Sequence, residues 1–406
     1  MYLPKPDIYL TYCTNIHPSK GWDNVFSNIQ QYGTALKERL SPDARFGIGL
    51  LLSNAEMTEL RQPERLEAFR QYLDENGLFV FTLNGFVYGE FHNPRIKDTI
   101  HAPDWRTQER VDFSLGLVDV LAGLLPEDMP EGGFSTQPLS YKYWDGVNPD
   151  DDDLWRTVTD NLVTVVAKLV RTRQQTGKYL HIDIEPEPDC LIETGAELVT
   201  FFEKWLLTHG AATLAADLGV SEDEARAHLL DHVQVCWDTC HVAVAYENAN
   251  TLLDEFERVG IKVGKVQVSS ALKVPLEPNP NERDDQAAWL QQFAENNFLH
   301  QVEQRNHDGS ITQYRDLPQA LPHITSTNAA EWRIHYHVPI FIESYHPGTA
   351  TTQDAILEAF DALQQRGYTR FLEIETYTWE VLPEDKRLPL TDSIEREFQW
   401  VMSCLP

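Results

Sequence analysis

Asp238 and His241 place an acid and an imidazole three positions apart in the stretch Cys236-Trp237-Asp238-Thr239-Cys240-His241. The run Val233 to Trp237 is apolar and β-branched, so Asp238 falls where that run would leave a sheet. An oxygen and a nitrogen so spaced can turn toward one point, which is how a divalent cation is held on a barrel rim. The same spacing also suits an Asp that caps the next helix and a His packed on it. Other strand-like runs along the chain end in acids and imidazoles too, which favours chemistry over simple capping.

The first of these ends is Asp183-Ile184-Glu185-Pro186-Glu187-Pro188, where two prolines stop the strand and present Glu185 on a stiff turn. A later run ends in Gln267, Ser269 and Ser270. In His335-Tyr336-His337, alternation puts both imidazoles on one face. The last run ends in Glu373-Ile374-Glu375-Thr376, with Glu375 nearest the mouth and Glu373 the better candidate for an ion pair. Carboxylates are seldom buried unpaired at a strand's end, so these positions point to function. The ligand candidates are therefore Glu185, Asp238, His241, Gln267, His335, His337 and Glu375, for a divalent Mn, Zn or Mg ion.

These residues need a scaffold that brings eight strand ends to one rim. Strand-like runs are read at Ile8–Cys13, Phe46–Leu52, Leu78–Leu83, Gly133–Gln137, Tyr179–Ile184, His232–Trp237, Val263–Val268 and Arg370–Ile374. Helical patterns alternate with them, for example at Trp22–Leu40, Pro63–Asn76, Asp104–Leu125, Asp151–Thr176, Ala196–Thr208, Asn248–Val259 and Thr352–Arg366. Several close at glycine: Gly77, Gly177, Gly260 and Gly367 each follow a helical run. Eight β-then-α units predict an α/β fold, a (β/α)8 TIM barrel. A doubly wound sheet is the alternative, but no Gly-x-Gly-x-x-Gly follows the first strand. The rhythm breaks between residues 298 and 341, where Asp308-Gly309 joins two alternating runs (Leu299–Arg305 and Ile311–Arg315) and a strand Trp332–Ile342 follows. That region reads as a β-hairpin and strand insertion between barrel strands 7 and 8 of one domain spanning 1–406.

The 406 residues carry 33 Lys+Arg against 63 Asp+Glu, a formal charge of −30. A surface this acidic repels phosphate backbones and anionic membranes, which argues against nucleic acid as partner. No apolar run approaches the ~20 residues that span a bilayer. The N-terminus has no basic region followed by an apolar one, and five scattered cysteines suit a reducing compartment, so a cytoplasmic location is expected.

Glu185, Asp238-Thr239-Cys240-His241, His335-x-His337 and Glu375-Thr376 resemble, in order, the xylose-isomerase-like TIM barrels, which include sugar isomerases, epimerases and zinc-dependent apurinic endonucleases. The segments Leu10–Pro18, Thr82–Phe86 and Trp332–Pro339 further resemble the Ebo-type metabolite-traffic barrels of bacterial gene clusters. The resemblance implies that Glu185, Asp238 and Glu375 are metal carboxylates, and that His241 matches the endonuclease branch. It also marks two departures: His335 stands where that branch has Asp, and Gln267 stands where the seventh strand ends in a ligand His.

The leading expectation is a metal-dependent sugar or cyclitol isomerase or epimerase in metabolite processing or traffic, with Glu185 and Glu375 as its proton-transfer pair. Its partner would be a small polyol or sugar-like metabolite, with a homo-oligomer possible. Expected substrate contacts are His17, Asn84, Phe86, His92 and Trp379, with Trp22 and Trp144 as further candidate apolar walls. The imidazoles also suit a metal-dependent phosphoesterase acting on a small metabolite. Gln267 keeps open a barrel that binds a metabolite without turnover.

Overall fold

In this computed structural model, all residues are described except 93–96, 130, 277–278, 295–297, 380–386 and 406. A two-residue strand β1 (Tyr2–Leu3) precedes the barrel strands β2 (Ile8–Tyr12), β3 (Phe46–Leu51), β4 (Leu78–Asn84), β5 (Glu131–Thr136), β6 (Tyr179–Ile184), β7 (Val233–Asp238) and β8 (Val263–Val268). A second group follows, β9 (Leu272–Pro275), β10 (Val302–Asn306), β11 (Ile311–Tyr314), β12 (Ala329–Ile334) and β13 (Ala350–Thr351), and then the eighth barrel strand, β14 (Phe371–Ile374). The barrel strands pair in parallel in the order β2-β14-β8-β7-β6-β5-β4-β3, with β1 antiparallel on β2. A single parallel bridge between Cys13 and Gly49 joins β2 to β3 and closes the circle. The molecule is thus a (β/α)8 TIM barrel with an inserted sheet after strand β8, as the alternating apolar runs predict.

The strands are apolar runs because parallel strands are covered on both faces. β4 (Leu-Phe-Val-Phe-Thr-Leu-Asn) is buried along its whole length. The helices turn an apolar stripe to the sheet; Asp152–Thr176 buries Leu162, Val163, Val166, Leu169 and Val170 and ends at Gly177 in the left-handed region. The helix expected at Asp104–Leu125 begins instead at Gln108, capped by the Thr107 hydroxyl. Trp22–Leu40 is continuous but holds a π-helical turn at Ile29–Gly33.

The barrel interior is unusually polar below the rim. Lys265 of β8 and Glu373 of β14 form an ion pair at 2.5 Å, and His181 and Asp183 of β6 pair at 2.6 Å, all fully buried. Glycines make the room. A Cβ on Gly49 would sit 1.8 Å from Glu373 Oε1, and one on Gly264 would sit 2.2 Å from Asp183 Oδ1.

The inserted sheet runs β11-β10-β12-β9-β13. The Asp308-Gly309 hairpin is present, with Arg305 opposite Ile311. The sheet also takes in β9 and β13, on either side of the 298–341 range read from the sequence. The strand read as Trp332–Ile342 ends at Ile334, so His335 and His337 lie just past it. β9 leaves the barrel directly after β8, and Ile334 pairs with Leu272, so the end of β12 is returned to the rim. The Val338 N–H donates to the Ser270 carbonyl at 3.0 Å and holds the histidine segment there. A separate apolar core of Leu272, Val274, Trp332 and Ile334 stiffens the insertion.

Candidate metal centre and the cavity above it

Each candidate acid sits at the C-terminal end of a barrel strand, fixed by the sheet that precedes it. The Glu185 N–H donates to the Thr136 carbonyl and the Glu375 N–H to the Val268 carbonyl, so both continue the parallel ladder one step past their strands. Asp238 does two things at once. Its Oδ1 caps the short helix Thr239–Val244 by accepting from the Cys240 and His241 N–H groups, and it also accepts from the Ser269 hydroxyl at 2.6 Å. Its Oδ2 is buried and has no hydrogen-bond partner. Capping and ligation are therefore not alternatives here: Oδ1 caps the helix, and Oδ2 is left for a ligand.

Glu185, Asp238 and Glu375 bring carboxylate oxygens within 4.8 Å of one another. Burial, and next the Asp238 charge, push the Glu185 carboxyl up to about 8. Glu375 is pushed well above the ordinary carboxyl range by burial and then by Glu185 and Asp238. Burial would raise Asp238 as well, but His241, His337 and the Ser269 hydroxyl hold it below its ordinary value.

Three imidazoles face the acids. His241 Nδ1 lies 2.9 Å from the Pro186 carbonyl, His335 Nδ1 lies 2.9 Å from Gln301 Oε1, and His337 Nδ1 lies 3.2 Å from the Glu375 carbonyl. Acceptors at Nδ1 leave Nε2 as the atom each ring presents inward. The three Nε2 atoms converge: His335 is 3.1 Å from His241 and 3.3 Å from His337. Asp238 Oδ2 is 4.0 Å from both His241 Nε2 and His337 Nε2. Burial lowers His337 to about 4 and takes His335 well below its ordinary range. The donor set fits a divalent cation on two observations: inward nitrogens held at short range, and the buried, partnerless oxygens Glu185 Oε2 and Asp238 Oδ2.

Above the centre is a small cavity of about 50 Å³. One wall is polar, formed by Glu185, Glu187, His241, His335, His337 and Glu375 with Asn15 and Asn84; the other is Leu51, Phe86, Val87, Phe91, Ile100 and Tyr377. Asn15 and Asn84 donate amide protons to Glu375 Oε1 at 2.9 and 3.3 Å and fix its orientation. Tyr377 stacks on His337 with ring centroids 4.8 Å apart.

The remaining sequence candidates lie elsewhere. Gln267 pairs in register with Asp238 and Glu373, and its Oε1 accepts from the Cys236 thiol at 2.6 Å, away from the cavity walls. His17 is buried between Tyr12 and Tyr32. His92 contacts the Asn15 carbonyl at 2.7 Å. Trp379 packs near Phe341, Trp22 packs edge-on against Phe69 in the core, and Trp144 donates to Asp98. Sequence reasoning missed Asn15, Tyr377, Gln301 and Glu187. Only Glu187 carried a signal, because it alternates with Glu185 in Glu-Pro-Glu-Pro and so shares its face.

No protein-family model matches the chain, and no curated protein does. Solved structures do. A xylose-isomerase-like TIM barrel protein from Mycobacterium smegmatis in complex with magnesium is 10% identical, covering 98% of this chain and 96% of that one, at a TM-score of 0.47. The 3-keto-D-glucoside 4-epimerase of E. coli is 12% identical, covering 98% of this chain and all (100%) of the other, at a TM-score of 0.46. An IolI protein with a bound zinc atom is 10% identical, covering 98% of each chain, at a TM-score of 0.46.

Proposed function

We propose that the protein is a metal-dependent isomerase or epimerase of a sugar or cyclitol, acting in the processing or traffic of a small metabolite. The observation that carries this reading is the two-sided cavity. Its acid and imidazole wall meets hydroxyls, while Phe86, Phe91 and Tyr377 meet the apolar C–H face of a ring. Asp238, His241, His337 and Glu375, with Glu185 and His335 beside them, would hold the cation. When bound, such an ion lowers the cost of negative charge developing on a neighbouring oxygen.

The chain's own residues supply the proton transfers. Glu185 lines the cavity together with Glu375 and would serve as one member of the acid–base pair. Glu375, held by two asparagine amides, is the fixed partner. One carboxyl takes the proton and the other returns it. The aromatic wall limits water at the reacting carbon.

Three convergent imidazoles also suit hydrolysis of a phosphoester. Against that second reading, none of the described cavity-lining residues is Lys or Arg, so a phosphate would meet no cationic side chain.

The test is deuterium wash-in at substrate C–H positions, followed by ¹H NMR across a panel of ketoses, aldoses and cyclitols. Exchange that drops ~100-fold or more in Glu185→Gln is expected. Absence of exchange over the whole panel overturns the reading. Phosphate release from metabolite esters, lost in His241→Ala, would replace it with the hydrolase.

A further inference from the structure

Glu187 is the part of the polar wall that the proposed reaction leaves without a task. It is buried, its Oε2 has no hydrogen-bond partner, and burial followed by the Glu185 charge pushes its carboxyl well above the usual range. Its two oxygens look in different directions. Oε1 lies 3.9 Å from His335 Nδ1, on the side of the rim histidines, and Oε2 lies 3.8 Å from His101 Nδ1. On that second side is the Cys190 thiol, with Sγ 3.7 Å from the same His101 nitrogen. Ligands around a tetrahedral zinc, at bond lengths of about 2.0–2.3 Å, stand about 3.3–3.8 Å from one another. The nitrogen–sulfur and nitrogen–oxygen spacings here are already of that order, and ligand atoms of all three residues lie within 4.8 Å of one another.

The surroundings hold these groups in place. His101 is 1% exposed and Cys190 is fully buried (0%). The imidazole stacks on Tyr141 at 5.3 Å and tilts against Phe86 at 5.4 Å. The turn carrying Glu187 and Cys190 passes through Asp189 at φ 68°, a conformation costly for a residue with a side chain. It is clamped there: the Asp189 N–H donates to Glu193 Oε1 at 2.6 Å, and the Lys142 N–H donates to the Asp189 carbonyl at 2.8 Å. The Cys190 N–H donates back to the Glu187 carbonyl at 3.3 Å, which brings thiol and carboxylate to the same imidazole.

We propose that His101, Glu187 and Cys190 form a second cation position, a thiolate, imidazole and carboxylate set suited to Zn²⁺, joined to the rim centre through the carboxylate of Glu187. The bridge rests on the metal reading of the rim; the three-residue position does not. Binding would release the thiol proton and any proton held by the Glu187 carboxyl to solvent as the sulfur–metal and oxygen–metal bonds form, with no redox change. Soft sulfur beside nitrogen and oxygen selects Zn²⁺ over Mg²⁺. Three protein ligands leave a fourth position open, as in zinc sites that take up a water or a substrate atom.

The experiment is titration of the chelator-stripped full chain with Co²⁺, reading both the visible ligand-field bands and the near-ultraviolet thiolate-to-cobalt charge-transfer band. Wild type should bind two equivalents and show the charge-transfer band. Cys190→Ser should lose that band and one equivalent while keeping the visible bands of the rim. Cys240→Ser should keep it, although Cys240 lies beside His335 and His337. Should Cys190→Ser fail to fold, His101→Gln carries the test with the same loss of one equivalent. Cobalt uptake without a charge-transfer band, or a band lost only in Cys240→Ser, overturns the proposal and leaves the rim centre standing. A band that persists in Asp238→Ala while the rim bands vanish supports it independently of the rim. No cobalt uptake at all overturns both.

Discussion

Nε2 of His335 and Nε2 of His337 face each other at 3.3 Å, and both rings have committed Nδ1 to acceptors on other segments. Burial keeps both imidazoles uncharged, so the contact sets one lone pair against another. A shared cation would convert that repulsion into ligation. Asp238→Ala removes the carboxylate that faces both His241 and His337. The expected outcome is loss of at least one equivalent of Mn or Zn by elemental analysis of untagged protein. Metal content equal to wild type in Asp238→Ala would falsify the rim assignment.

Gln301 holds His335 from behind. Its amide nitrogen donates to the Pro188 carbonyl at 3.4 Å, which leaves Oε1 for His335 Nδ1. Gln301→Leu keeps the volume and removes the acceptor, so the imidazole is free to rotate or to change tautomer. Loss of such a supporting partner typically weakens metal affinity about 10–100-fold. Competition with a chromophoric chelator measures it. Unchanged affinity would mean that His335 is oriented by packing alone.

The eight barrel strands were legible because strands buried on both faces are unbroken apolar runs, and glycines in the left-handed region end the helices between them. Some helices were not. Glu222–His232 buries only Ala225, Leu229 and His232, which is too sparse a stripe to stand out in the sequence. The end of β12 was misread because the chain past Ile334 keeps only isolated backbone bonds, from the His335 N–H to the Gln301 carbonyl and from the Val338 N–H to the Ser270 carbonyl, in place of a ladder, and alternation alone cannot tell those states apart. In the site, Glu185, Asp238, His241, His335, His337 and Glu375 could be read from strand ends. Asn15 and His101 lie on short 3-10 turns and Gln301 just ahead of β10, and only the closed barrel brings them near the acids. Gln267 shows the converse: its position at a strand's end was legible, but its commitment to Cys236 was not.

The polar layer beneath the site depends on the absence of a side chain at Gly49. An added Cβ would meet Glu373 Oε1 at 1.8 Å and the Tyr12 carbonyl at 2.8 Å, and the second of these is backbone that cannot swing aside. Gly49→Ala therefore displaces Glu373 from Lys265 or opens the Cys13–Gly49 bridge that closes the barrel. Breaking a buried ion pair costs about 3–5 kcal/mol, and chemical denaturation should show a loss of that order. A loss under ~1 kcal/mol would show that the barrel relaxes around the methyl group.

Glu397 gives the stability of the fold a pH dependence with a definite sign. The residue lies on the buried face of the C-terminal helix Leu390–Cys404, where its Oε1 accepts from the Thr376 hydroxyl at 2.7 Å and the Ile340 N–H at 3.2 Å. Burial raises it from 4.5 to about 8, against the pull of those two donors. The folded chain therefore keeps a proton that the unfolded chain has already released between pH 4.5 and about 8. Stability falls wherever the folded state binds more protons, so this contribution is complete below pH 4.5 and is lost as pH rises through about 8. Glu397→Gln mimics the protonated form and removes that slope. Denaturation midpoints measured from pH 5 to 9 should decline less steeply in Glu397→Gln than in wild type. The two curves should diverge most at the alkaline end, and parallel curves would show that Glu397 ionises in the folded protein as it does in the unfolded one.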